Sequence, residues 1–268
     1  MRIATRLSVL IAILAAGASA GGLLIPGLYR DNLFVVSAWK GNDLVTLLFA
    51  VPLLVISLAR ANKGSIRAGL VWLGILDYML YNYAFYLFGS AFNWFFLVYV
   101  ALFGLSIFAL IYGLSGLDLA RLVKSIDSRM RVRWIAGYMI FVATGLSVIY
   151  LGQTVGFILT NTVPPIVTQS AHPTSIVFAL DLTLLVPFLA LGAIWLLRRK
   201  PWGYVLAGVT TVKGALYTLV LASGSLWASQ AGVEGVVGQI PLWLGLTALG
   251  LAAAGVFSRG VRQEREKA

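Results

Sequence analysis

Leu76-Asp77-Tyr78-Met79-Leu80-Tyr81-Asn82-Tyr83 stands inside an apolar run from 68 to 89. At ~1.5 Å rise per residue, about 20 apolar residues cross a ~30 Å hydrocarbon core, so the run reads as a membrane helix. An aspartate, an asparagine and three tyrosines fall near its middle. A charge at that depth costs at least ~2.5–3.5 kcal/mol, so the chain has to supply a partner. Lys213, inside the run 202–222, is the one basic residue at comparable depth. The fold class that follows is all-α, a polytopic membrane helix bundle with Asp77 and Lys213 turned to its interior.

The bulk composition agrees. Of 268 residues, 60% are hydrophobic and 11% charged, whereas soluble domains carry ~25% charged residues. The net charge of +11 does not imply nucleic acid, because the cations sit in short clusters between apolar runs. That is the positive-inside pattern of a membrane protein. The chain has no cysteine, which excludes disulfide exchange, thiolate metal sites and cysteine nucleophiles. With a single histidine, His172, it cannot form a two-histidine haem or a histidine-box site by itself. No cofactor and no metal is expected.

Eight spans emerge on either side of that central run, at 7–28, 43–58, 68–88, 92–114, 134–159, 175–197, 202–222 and 240–257. The first also resembles a signal peptide, with Ala18-Ser19-Ala20 as a cleavage site. The apolar run continues to Ile25, and a retained span is expected. Seventeen of the twenty Lys and Arg lie at the N-terminus, in alternate connections, or in the tail with Arg259, Arg262, Arg265 and Lys267. Arg30 and Lys40 lie on the other side. This predicts a plasma-membrane protein with both termini cytoplasmic. The basic segment 118–133 contains Leu119, Leu122, Val123 and Ile126 at helical spacing, which suits an amphipathic surface helix on anionic lipid.

Sliding the chain by 136 residues brings Asp77 onto Lys213 and Leu80-Tyr81 onto Leu216-Tyr217. At nearly the same offset Val51-Pro52 falls on Val186-Pro187. The expectation is a single membrane domain of two similar halves, 1–117 and 134–258, joined by 118–133. Four helices per half gives both halves one orientation, a parallel repeat about an axis along the membrane normal.

The candidate site residues come from polarity at depth. Tyr81 follows Asp77 by four and Tyr217 follows Lys213 by four, so each tyrosine shares a helix face with its charge. Asn82 lies in the same stretch. Asp181 is ~10 Å into the membrane from the outer side, by the helical rise from Thr174. Asp43, Asn93 and His172 belong near that outer level. Bland roles compete: Asp43 as the N-cap of the second span, and His172 as a solvated loop residue. The aromatic run from Tyr81 to Tyr99 reads as an interfacial belt, or more sharply as a wall for a flat lipophilic ligand.

The function these residues suit best is a small transporter or permease. An outward-open polar cavity would hold a small polar solute or a proton, floored by the Asp77–Lys213 pair. The alternative is a non-enzymatic membrane scaffold or assembly factor acting through its basic surface. A lipid-acting enzyme is the weaker alternative, because the sequence holds no nucleophile elbow, zinc-ligand pair or phosphate loop. Substrate and oligomeric state are not legible.

Overall fold

The computed structural model describes residues 2–262. Arg265 and Lys267 of the basic tail lie outside the described residues. The described chain is helical, with one isolated antiparallel bridge between Ile126 and Val261. The helices are α1 (Arg2–Leu24), α2 (Leu33–Asn62), α3 (Ile66–Gly89), α4 (Phe96–Ser115), α5 (Leu119–Ser125), α6 (Val132–Thr160), α7 (Pro165–Ser170), α8 (Ile176–Leu197), α9 (Pro201–Gln230) and α10 (Ile240–Gly260).

Local chemistry sets the boundaries. Asn32, Ser65, Asp118 and Ser175 each accept a hydrogen bond from a backbone N–H of the first turn, capping α2, α3, α5 and α8. Asn161 takes a left-handed conformation and ends α6. Gly64, at φ 89°, supplies the reversal between α2 and α3.

Seven helices, α1, α2, α4, α6, α8, α9 and α10 (with the turn at 237–239), are long and apolar enough to cross a membrane. The chain is thus a multi-pass membrane protein. Their outward faces carry large apolar side chains such as Ile13, Leu48, Phe141, Ile158 and Leu251, as lipid contact requires. The long helix outside this set is α3, whose aspartate, asparagine and tyrosines lower its hydropathy. It compensates by burial, from Ala68 through Tyr86 on nearly every face.

Around α3 stand α2, α4 and α9, and α9 also packs against α2, α8 and α10. α1 packs on α4 and α2, and α6 on α8 and α10. Two close approaches fix this arrangement. At the α2–α9 crossing, a Cβ added to Gly41 would lie 2.3 Å from the backbone N of Gly224. At the α3–α9 crossing, one added to Gly74 would lie 2.9 Å from Val209 O and 2.8 Å from Val212 Cβ. Glycine at both positions lets backbones meet, the packing expected where no hydrophobic drive separates helix from lipid.

Two spans run well beyond the reading of the sequence: α9 continues to Gln230, past the end expected at 222, and α2 starts early. The loop expected at 29–42 is mostly helix: α2 begins at Leu33, not at Asp43, and runs to Asn62. Trp39, Lys40 and Asn42 read as loop from the sequence. Trp39 and Lys40 are met inside the protein, Trp39 Nε1 donating to Asp31 Oδ2 at 3.0 Å and Lys40 lying over the Trp227 ring, whereas Asn42 Oδ1 is buried with no partner among the described residues.

Two segments leave the α-helical pattern. Thr46–Ala50 in α2 and Asp181–Leu185 in α8 are π-helical turns, each followed by Val-Pro. Proline has no N–H to donate, and a wide turn just before it absorbs the missing bond without breaking the rod.

Below the bundle, α5 buries Leu122 and rests near the start of α9, the short amphipathic helix expected in 118–133. The following residues pair with the end of α10. Asp127 N donates to Gly260 O at 2.8 Å and Arg262 N to Ser125 O at 2.7 Å. Arg262 Nη2 lies 3.2 Å from Asp127 Oδ2. Arg67 Nε donates to Val261 O, tying this strap to α3.

Candidate functional site

α3 and α9 bring two of the sequence-derived charges together. Lys213 Nζ lies 3.4 Å from Asp77 Oδ2, both side chains buried. That distance is an ion pair, longer than the ~2.7–2.9 Å of a charge-assisted hydrogen bond. Oδ2 accordingly has no hydrogen-bond partner among the described residues. The ammonium also sits 4.3 Å from the centre of the Tyr81 ring, one turn beyond Asp77. Tyr81 meets Tyr217 edge-on, with ring centres 4.9 Å apart. The i, i+4 spacing on each helix therefore places two tyrosines over one ion pair.

Tyr81 extends the cluster to a third helix. Its hydroxyl donates to Asp181 Oδ1 at 2.8 Å, and Tyr150 from α6 donates to Asp181 Oδ2 at 2.7 Å. Asp181 opens the π turn of α8 and is 1% exposed. Tyr150 stacks on Phe178, ring centres 4.3 Å apart, one turn before Asp181. Asp181 was expected to line a path open to the outside. Here both its oxygens are occupied and it is closed over. The result is a continuous series: Asp77, Lys213, the face of Tyr81, its hydroxyl, Asp181, Tyr150. It contains one cation against two carboxylates.

Asp43 forms a second cluster. It is not the N-cap of α2, a role Asn32 takes, but a mid-helix residue 3% exposed. Tyr29 donates to its Oδ2 at 2.5 Å. Tyr86 Oη lies 3.0 Å from its Oδ1 and 3.1 Å from Trp39 O. Burial pushes the Tyr29 phenol far above its ordinary value, with Asp43 adding to the effect, so it remains a donor. Gly22 of α1 makes the space, since a Cβ there would meet Tyr29 Oη at 2.3 Å.

The remaining candidates separate. Asn93 organises the turn between α3 and α4, accepting from Phe95 N and donating to Ala91 O. His172 lies after α7, half-buried, its Nε2 unpartnered among the described residues. Asn82 is 1% exposed, and neither amide atom has a partner among the described residues. The aromatic run divides. Phe88, Phe92 and Trp94 face outward as a belt would, while Tyr81, Tyr83, Tyr86 and Tyr99 are buried core. Sequence reasoning missed Tyr29, Tyr86 and Tyr150. The available signal was a buried carboxylate's need for donors, which tyrosines in neighbouring spans supply.

No protein-family model, curated protein or solved structure matches the chain. The class defined by fold and site is a multi-pass helical membrane protein with a buried lysine–aspartate pair joined through a tyrosine to a second buried carboxylate.

Proposed function

We propose that the protein is a small transporter whose cycle is coupled to a proton bound in the series from Asp77 to Asp181. The observation that carries this is the charge count at the α3–α8–α9 junction. One lysine stands between two buried carboxylates, paired with Asp77 and separated from Asp181 by Tyr81, whose ring it faces and whose hydroxyl donates to Asp181. A proton balances the set, and its loss leaves an uncompensated buried charge of several kcal/mol, roughly enough to drive rearrangement. A static ion pair needs only one acid.

In this reading α3 is an eighth crossing, and both termini face the cytoplasm of a plasma-membrane protein. The halves 1–117 and 134–258 form a parallel repeat. Support comes from the π turns, which recur at a constant offset, Thr46 to Asp181 and Val51 to Val186. Neighbour relations recur too: α1 and α3 each touch α2 and α4, as α6 and α9 each touch α8 and α10. The exposed cations of 118–133 suit anionic lipid.

The test is a pH jump on protein reconstituted into a solid-supported membrane, reading transient charge displacement. The intact protein should displace charge. Asp181→Asn and Lys213→Met, at equal folded amount, should not. Absence of displacement in the intact protein between about pH 5 and pH 9 would remove the proton-coupled reading.

A further inference from the structure

Directly below the Asp77–Lys213 pair, α3, α9 and α10 leave a small, partly open cavity. Its walls are apolar: Leu70 and Val71 from α3, Val212 from α9, Phe257 from α10. Three polar residues break them: Arg67, Ser258 and Thr211, whose hydroxyl already donates to Ala207 O at 2.7 Å. At the top, Val209 and Val212 close on Gly74, one turn from both members of the pair.

Arg67 is held in a particular way. Its Nε donates to the carbonyl of Val261, which the strap fixes through the bridge to Ile126. Among the described residues neither Nη atom takes a partner. One edge of the guanidinium is thus pinned, and two N–H-bearing nitrogens remain on a cavity wall. A planar fork of this kind matches a carboxylate. Among the described residues Asp127 is committed to Arg262 and Asp77 to Lys213. No hydrogen bond occupies the Ser258 hydroxyl among the described residues, so it can add a donor.

We infer that this cavity binds a small organic anion, a carboxylate on a compact apolar body. The head lies on the Arg67 Nη atoms and the body against Leu70, Val71, Val212 and Phe257. The inference rests on the transporter reading, and it names the class of solute that the pathway takes from the α5 side. A cation would face Arg67 at close range, and a neutral polar solute would leave apolar walls and a guanidinium unsatisfied.

Three probes of one body and different heads separate the classes: benzoate, benzylammonium and benzyl alcohol. Binding to the purified full chain is measured by isothermal titration in detergent. Benzoate should bind at least about tenfold tighter than either analogue, the margin a charge-assisted fork supplies. Arg67→Gln should remove that margin. Because Arg67 also holds the strap, Val71→Trp provides a second variant, which fills the cavity and leaves every charge in place. It should abolish benzoate binding while the melting temperature is retained. Equal binding of the three probes overturns the inference. So does benzoate binding that survives Val71→Trp, or a co-purified phospholipid in the cavity that benzoate does not displace. Charge displacement without benzoate selectivity defeats this inference alone. Selectivity without displacement defeats the transporter reading and leaves the site.

Discussion

Removing either member of the Asp77–Lys213 pair should cost far more than removing both. Lys213 is 2% exposed, and its ammonium has one carboxylate at 3.4 Å and one aromatic face. Asp77→Asn leaves that cation to the Tyr81 ring, worth ~1–2 kcal/mol when desolvated. The expected loss is then at the lower end of the ~3–5 kcal/mol for a broken buried pair. Lys213→Met leaves Asp77 Oδ2, which accepts no hydrogen bond among the described residues, with nothing opposite it. Its loss should reach the upper end. The double variant Asp77→Asn/Lys213→Met removes both charges and keeps the volumes, so it should fall within about 1 kcal/mol of the parent. The coupling energy is then about 7 kcal/mol, far above the scatter of independent sites. Thermal unfolding in detergent reads this as single-variant losses of roughly 10 °C and a double variant within a few degrees of the parent, at ~2–4 °C per kcal/mol. If the two single losses simply add in the double variant, the pair carries no interaction and the reasoning fails.

Other outcomes follow from the same geometry. Tyr81→Phe keeps the ring over Lys213 but removes the donor to Asp181, so it should abolish charge displacement with at most ~1–2 kcal/mol of stability lost, whereas Tyr81→Leu should lose more of both. Gly41→Val should separate α2 from α9, because even a Cβ would sit 2.3 Å from Gly224 N; a loss of ~3 kcal/mol or more in unfolding free energy is expected, and a neutral result would disprove the close crossing. The backbone N–H of Arg129, and then Arg262, hold the Asp127 carboxyl below its ordinary value of 3.8. Its contribution to the strap is therefore complete above that value and disappears as pH falls through the lower, folded one. Asp127→Asn should mimic the acid state at neutral pH, read as faster hydrogen exchange at the Arg262 amide, and unchanged exchange would show that the charge does not hold the strap.

The fold was legible because lipid allows so few solutions. Apolar run length and the alternation of cations were enough to read a membrane helix bundle. The stretch at 33–43 was misread for the same reason that the site was found. Trp39, Lys40 and Asp43 resemble a loop when taken alone; Asp31 and Tyr29 from the connection before α2, Tyr86 from α3 and Trp227 from α9 make them acceptable in a helix. Asp77 and Lys213 could be matched by depth, since the rise per residue is fixed. The azimuth of Tyr150 toward Asp181 could not, because it depends on how α6 packs against α8. The split in the aromatic run had the same origin, with helix rotation sending Tyr83 and Tyr86 inward and Phe88 outward.

The wide turns at Thr46–Ala50 and Asp181–Leu185 set angles as well as accommodating prolines. Each turn holds one residue more than its length of rod needs, and that surplus rotates everything before it by about 100° relative to a plain helix. Asp43 stands just before the first such offset, and Asp181 begins the second. Deleting Leu48 would return α2 to regular winding without touching a polar group. It would also swing Asp43 away from Tyr86 and Tyr29, the phenols that now hold it. The two carboxylates are thus aimed by a phase carried in the backbone, and a single-residue shift of that phase is a rotation of about 100° for each acid.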